Sequence, residues 1–362
     1  MSQAHPSSEG LSIDYITLVK ATSRDRVTMA ALKVAGLRVT EIQEDKIGLK
    51  KFWHLAKNLK SEPNKIYFVG YTGGLLVPWI RLLSKNKIVY NALASIYESM
   101  IISRQAGSPH SITAWKYWLI DWLAFKGADL ILVESEAQRK FIATSFKISP
   151  ARIAVHYTGV EPELFFYEPI VKKLATFTVL FRGKFLPEAG VEVLLEAANQ
   201  LQEENINFRI MGHGLLQSKV EQQLADLKLA NVELITNFLD NEELRHKMAE
   251  CHLALGQLSD HPRLQRTIPH KAFESWALGL PYLTARQPGI LELLKENETG
   301  FCFKPGDANA LVEAIRKLKN DPESLDRVAA AGHNLYQTDL TLSVLGKKLI
   351  EMLQPLRPPH LN

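Results

Sequence analysis

The sequence is poor in cysteine: 362 residues carry two, Cys251 and Cys302. Both stand among apolar neighbours, with no CxxC pair and no His/Cys cluster. That excludes a disulfide framework and a zinc-finger arrangement, and reads as small buried residues in a reducing compartment. No apolar run approaches the roughly 18 residues that a spanning helix needs, so none is expected. The opening MSQAHPSSEG lacks both the basic start and the apolar core of a secretory signal. A cytoplasmic protein is therefore expected, with peripheral contact at the inner face of a membrane left open. Charge of one sign is also scarce: 43 Lys+Arg against 39 Asp+Glu leave a net +4. A dedicated nucleic-acid binder shows a strongly basic patch or domain, so no nucleic-acid partner is expected. Short-period repeats and low-complexity tracts are absent too.

What is present is an ordinary globular composition, 46% hydrophobic and 23% charged, in a chain long enough for about two domains. Residues 1–10 read as a disordered lead. From residue 11 apolar strand-like runs alternate with helical patterns, the signature of a parallel α/β sheet. IDYITLVK, LRVTEI, KIYFVG, KIVYNAL and ADLILVES are the strand runs of a first domain over 11–165; a Pro-broken linker follows at 166–176. FTVLFRGK, NFRIMGHG, VELITNFL, HLALGQL, PYLTA and GFCFKPGD repeat the logic over 177–340. Helices are expected near 24–35, 48–60, 137–146, 189–202, 241–250, 289–296 and 307–319, and a last helix and tail over 341–362 crosses back to the first domain. The fold class is thus α/β, two Rossmann-like doubly wound domains facing a cleft.

Several stretches invite chemistry. KIYFVG runs into YTGG, which places Gly70, Tyr71, Gly73 and Gly74 at a carboxyl edge, where doubly wound sheets bind ligands; a loop that needs small residues is the alternative. SITAWKYWLIDWLAFKG sets Trp115, Trp118 and Trp122 at helical spacing, either as core or as an interfacial anchor, and the apolar strand that follows favours core. KKFWHLAKNLK combines Lys50, Lys51, Lys57 and Lys60 with Phe52, Trp53 and Leu55. It reads as an amphipathic helix covering the sheet or as a basic helix resting on anionic lipid.

The densest stretch is Arg263 to Pro281, RLQRTIPHKAFESWALGLP. Pro269 suits a first helical turn, and Gly279 with Pro281 stops the helix. At 100° per residue His270, Lys271, Glu274 and Ser275 share a polar side, expected to be available, while Ala272, Phe273, Trp276 and Ala277 share the buried one. Free N–H groups at the helix start, with Lys271 and Arg266 beside them, suit a phosphate. A solvated Lys271–Glu274 pair is the plain alternative.

Five motifs in sequence order, VLFRGKFLPEAGVEVLLEA (179–197), IMGHG (210–214), ITNFLDNEELRHKMAECHLAL (235–255), IPHKAFESWALGLPYLTA (268–285) and NETGFCFKPGDANALVEAI (297–315), resemble the nucleotide-sugar domain of family-4 glycosyltransferases of the GT-B fold. The first half matches more loosely, through KIVYNALASIYESM, ADLILVESEAQRKFI and RIAVHYTGVEPELF. In that family a basic residue after the first strand of this domain, and another a few residues on, contact the pyrophosphate. Lys184, following Gly183, matches the first, and Ala189 takes the place of the second. The family's second motif glutamate, which holds the ribose hydroxyls, matches Glu274, since a carboxylate can accept from two adjacent hydroxyls. The first motif glutamate falls on Arg266, whose planar fork suits a phosphate.

The resemblance implies a hexosyltransferase-type enzyme that moves a sugar from a nucleotide-diphosphate donor, with retention, to a cell-surface glycan or lipid-linked acceptor. Lys184, Lys271 and Arg266 would stabilise the leaving diphosphate. Gly183, Gly212, His213, Gly214, Pro269, His270 and Glu274 would hold the nucleotide. Gly70, Tyr71, Asn91, Ser95, Tyr97 and Glu98 would face the acceptor, and Asp260 and His261 could line the donor side or a solvated loop. No DxD pair appears, so neither a metal nor another cofactor is expected. The departures at Ala189 and Arg266 leave as an alternative a catalytically silent, nucleotide-binding partner subunit of the same fold. A nucleotide-sugar epimerase is a third reading, for which acid/base carboxylates are not recognisable.

Overall fold

The computed structural model describes residues 11–43, 50–59, 62 and 64–357, with the side chains of residues 51, 52, 56 and 58 left out. The lead at 1–10, the end of the tail, and Lys60 lie outside the described residues, as do the Lys51 and Phe52 side chains. The chain divides into two compact units, one of residues 1–159 with 341–362 and one of 160–340.

The first unit is built on β1 (Ser12–Thr17), β2 (Arg38–Gln43), β3 (Lys65–Val69), β4 (Lys87–Leu93), β5 (Leu130–Val133) and β6 (Ile153–Val155), all parallel, in the order β2-β1-β3-β4-β5-β6. Strands covered on both faces must be apolar on both, which explains runs such as KIYFV and LILV. Alternation along each strand sorts the side chains into two cores. Ile13, Tyr15, Phe68 and Leu132 meet the helices Ser23–Val34 and Leu342–Leu353. Ile16, Tyr67, Val69 and Ile131 meet the helices Lys50–Asn58, Leu76–Leu83, Ile112–Gly127 and Glu136–Ser145. The Trp stripe is divided: Trp118 and Trp122 pack on this second core, Trp118 stacking on Phe146 at 5.6 Å, while Trp115 faces solvent. Among the described residues no helix is long and apolar enough to cross a membrane.

The second unit repeats the design with β7 (Phe177–Arg182), β8 (Ile206–Met211), β9 (Val232–Ile235), β10 (Leu253–Leu255), β11 (Tyr282–Ala285) and β12 (Phe301–Phe303), parallel, in the order β12-β11-β10-β7-β8-β9. One helical expectation fails here, and one helix was not foreseen. The run expected to be helical over 289–296 forms only the turn Pro288–Leu291, because Asn297 adopts a left-handed conformation (φ 60°) and bends the chain back toward Gly300. Conversely, Pro322–Leu335 is a full helix that periodicity missed. Its start signals are local: Pro322 opens it, and the Asp321 side chain accepts from the Ser324 N–H at 3.1 Å. Its AAAGH centre is small because Gly332 lies against Trp276, where a Cβ would come within 2.5 Å of the indole.

Each strand order reverses once, between β1 and β3 in the first unit and between β7 and β10 in the second. Helices leave toward opposite faces at such a point, which opens a crevice at the strand ends.

Candidate functional site

In the second unit the reversal point is bordered by the turn after β7, the end of β10 and the helix His270–Ala277. The β7 turn is pinned to the β8 turn by backbone bonds, Gly183 N–H to Met211 O and Phe185 N–H to His213 O, both 2.9 Å. This contact is why the glycines are needed. A Cβ on Gly212 would lie 1.9 Å from the Gly183 carbonyl oxygen, and one on Gly214 2.8 Å from the Phe185 backbone. A Cβ on Gly183, where φ is +146°, would meet Lys271 Cε at 2.7 Å. Two turns and one lysine therefore pack around a floor with no room for side chains.

The helix His270–Ala277 departs from its expected exposure. Pro269 is the residue before the helix rather than within it, and the polar side is only partly open: Glu274 and Ser275 are as buried as Phe273 and Trp276, while His270 and Lys271 are half-buried. The reason is Arg182, the last residue of β7, which forms an ion pair with Glu274. Glu274 Oε1 also accepts from His270 Nδ1 at 2.8 Å. Burial alone would raise the Glu274 pKa, but Arg182 and then His270 hold it down to about 2. Its other oxygen, Oε2, and the far ring nitrogen of His270, Nε2, are buried and make no hydrogen bond within the protein. A carboxylate clamped through one oxygen with the second left over is arranged to accept from something else.

Lys271 lies on the same turn. Its ammonium sits 3.6 Å from the centre of the Phe181 ring and donates to the Gly256 carbonyl at 3.3 Å and Gln257 Oε1 at 3.1 Å. It thus bridges β7 and β10 across the reversal point. Burial lowers its pKa to about 7, with Arg182 adding to the shift and Glu274 opposing it. An anion placed beside it would raise that value and favour the charged form.

The other residues expected on the donor side surround this pair. Lys184 and His213 are exposed on the two turns. Arg266, half-buried, closes the turn before the helix, its N–H bonded to Arg263 O at 3.1 Å. Ala189 is buried behind the β7 turn, where a longer basic chain would not fit. Its neighbour Glu188 pairs with Arg263 at 3.3 Å, and His261 caps the local turn through Arg263 N–H at 3.3 Å. Asp260 packs near Gly306.

In the first unit Gly70 and Tyr71 do stand at the reversal point, where the Asp25 carboxylate accepts the Tyr71 N–H at 3.0 Å. Asn91, Ser95 and Glu98 are fully buried and knit into the protein itself. Asn91 accepts from Arg24 Nε at 2.7 Å and donates to Tyr15 Oη at 3.0 Å; Glu98 accepts from Gln138 at 2.6 Å and from Ser95 Oγ at 3.1 Å. These three shape the carboxyl edge from beneath. Tyr97, half-buried, gives its N–H to Asp121 at 2.8 Å. Asp121, buried and with a pKa raised to about 7, also accepts from Ile96 N–H at 2.9 Å, so it fixes the turn that presents these residues.

Sequence reasoning missed Arg182 and Arg24. Each had a signal: Arg182 ends an otherwise apolar strand, and Arg24 follows the cap of the first helix.

Residues 166–335 match the family model described as glycosyl transferases group 1. Over 310 residues the chain is 26% identical to the amylovoran biosynthesis glycosyltransferase AmsK of Erwinia amylovora, covering 83% of this chain and 73% of that protein. It is 23% identical over 209 residues to the putative colanic acid biosynthesis glycosyltransferase WcaL of Escherichia coli K12, a match that spans about half of each chain (57% and 52%). Among solved structures, Anabaena Alr3699/HepE in complex with UDP-glucose superposes with a TM-score of 0.74 at 16% identity over 95% of this chain and 100% of that one. Sucrose-phosphate synthase from Thermosynechococcus elongatus gives 0.76 at 14% identity over 96% and 99%. The two-unit α/β architecture is that of the GT-B fold.

Proposed function

We propose that this glycosyltransferase, whose residues 166–335 match the group 1 glycosyl transferase model and whose architecture is the GT-B fold, transfers a sugar, with retention, from a nucleotide-diphosphate donor to a cell-surface glycan or lipid-linked acceptor. The observation that carries the reading is Glu274, with one oxygen locked by Arg182 and His270 and the other buried without a partner. That oxygen accepts from the ribose hydroxyls, and Lys271, three residues earlier on the same helical turn, faces the diphosphate. In the reaction the bond from the anomeric carbon to the diphosphate oxygen breaks. An acceptor hydroxyl oxygen bonds to the same face of that carbon, and its proton passes to the departing diphosphate. Negative charge grows on the leaving group, where Lys271, Lys184 and Arg266 stabilise it without a metal. Lys271 supplies the charge that Ala189 cannot.

The acceptor class is supported by the names of AmsK and WcaL, and the nucleotide class by the UDP-glucose held by Alr3699/HepE. An enzyme that acts on lipid-linked acceptors works at the cytoplasmic face of a membrane, and that location is part of the proposal. The test is nucleotide release from a panel of UDP-, GDP- and dTDP-sugars in the presence of membrane extract, with the product anomer read by NMR. Release from one donor and a retained anomer are expected. Silence across the panel together with no nucleotide binding rejects the reading, and an inverted product rejects retention.

A further inference from the structure

Helix surfaces turned to water are ordinarily polar, and three helices of the first unit instead expose large apolar side chains between lysines. Lys50–Asn58 packs beside Leu76–Leu83, which packs beside Ile112–Gly127, so their outer sides form one continuous face. On it Trp53 is 73% exposed, Leu82 81%, Ile112 86% and Trp115 62%, with Trp79 and Leu83 about half exposed between them. Trp79, Leu82 and Leu83 fall at i, i+3 and i+4, and Ile112 and Trp115 at i and i+3, so apolar stripes occupy the positions a soluble helix gives to polar residues. Among the described residues, the exposed charged side chains of these helices are of one sign: Lys50, Lys57, Lys116 and Lys126. The three helices contain a single carboxylate, Asp121, and it is buried with its oxygens on the Ile96 and Tyr97 amides.

We infer that this face is a docking surface for an anionic lipid bilayer. Tryptophan rings have an apolar body and a polar N–H and settle at the boundary between hydrocarbon and headgroups. Leu82 and Ile112 enter below them. The lysines meet the negative headgroups, and no exposed carboxylate on these helices opposes them. The inference rests on the membrane-side location proposed above and gives it a surface: not one basic helix but a platform of three. Its test does not involve sugar transfer.

Full-length protein is floated with phosphatidylcholine vesicles and with vesicles containing about 30% phosphatidylglycerol, at low and high salt. Recovery with the anionic vesicles and little with the neutral ones is expected, with a blue shift of tryptophan emission on binding. The triple variant Trp79→Glu, Leu82→Glu, Trp115→Glu should lose at least tenfold of the bound fraction. The changes are at exposed positions, so thermal melting should stay put; if the triple variant does not fold, Leu82→Glu and Ile112→Glu singly should each weaken flotation. Lys57→Glu with Lys116→Glu should weaken it and abolish its salt dependence. Failure of the wild type to float, or flotation unchanged in the triple variant, overturns the inference. So does a wild-type oligomer that the triple variant dissolves while flotation persists, which would assign the face to a second copy. Nucleotide release measured on the same variants reports separately on the transferase reading.

Discussion

The position of Lys271 gives the donor site a pH dependence that can be worked out in advance. In the free protein its pKa is pulled down to about 7 by burial. A nucleotide sugar brings a diphosphate whose charge does not titrate near neutrality, and beside it the lysine returns toward the ordinary 10.5. Binding then takes up a proton wherever the free lysine is neutral. By linkage, affinity is flat below pH 7 and falls above it, approaching tenfold per pH unit; at pH 8.5 the loss relative to pH 6 is about 30-fold. Calorimetry in two buffers of different ionisation enthalpy should register about 0.9 protons taken up per donor bound at pH 8. Lys271→Arg keeps a charge that does not titrate in this range, so its profile should be flat. Lys271→Met should be both flat and weak. An affinity for wild type that is unchanged between pH 6 and 9 would refute the reasoning, as would a slope that persists in Lys271→Arg.

Glu274→Gln keeps the shape but takes the counter-charge from Arg182 and weakens the acceptor for ribose; nucleotide affinity should fall about 100-fold and stability by about 2–3 kcal/mol, read by calorimetry and thermal melting. Since the folded pKa of Glu274 is depressed, its contribution to stability should be present above pH 4.5 and be lost as pH falls toward 2. Gly212→Ala drives a methyl into the Gly183 carbonyl, 1.9 Å away, and should cost about 2 kcal/mol or more while loosening the Lys184 turn; unchanged melting would show that the two turns do not touch in solution. Asp121 has the opposite sign. Its folded pKa is raised to about 7 from 3.8, so its contribution to stability falls as pH rises through that window. Asp121→Asn should flatten the stability profile between pH 4 and 7, a difference of a few kcal/mol across the window, and a profile identical to wild type would count against the burial of this carboxylate.

The alternation of apolar runs and helical patterns made the parallel sheets legible, because strands covered on both faces leave few choices of residue. That FRGK, GHG and PHKAFES come together was legible for a related reason: glycines where two turns meet and a charged pair one turn apart are local signals. The orientation of that charged pair was not. Counting at 100° per residue assigns Glu274 to water, and only the long-range partner Arg182, 92 positions earlier, turns that side inward. The same limit applies to Asn91 and Glu98, whose residue types suit a ligand but whose hydrogen bonds are spent on Arg24, Tyr15 and Gln138. The helix at 322–335 escaped because its centre is alanine and glycine, chosen by the bulk of Trp276 and not by hydrophobic period.

The helix Leu342–Leu353 adds one more consequence, in the order of synthesis. Its Leu345, Leu349 and Leu353 complete the core that Ile13, Val27 and Leu32 begin, and Gly346 lies so close to the first helix that a Cβ would come within 2.3 Å of the Ala31 carbonyl oxygen. The first unit thus waits for residues that leave the ribosome after the whole of the second. Until they arrive, the apolar side of Ser23–Val34 lacks its cover, and the second unit, continuous from 160 to 340, is free to fold ahead of the one that precedes it.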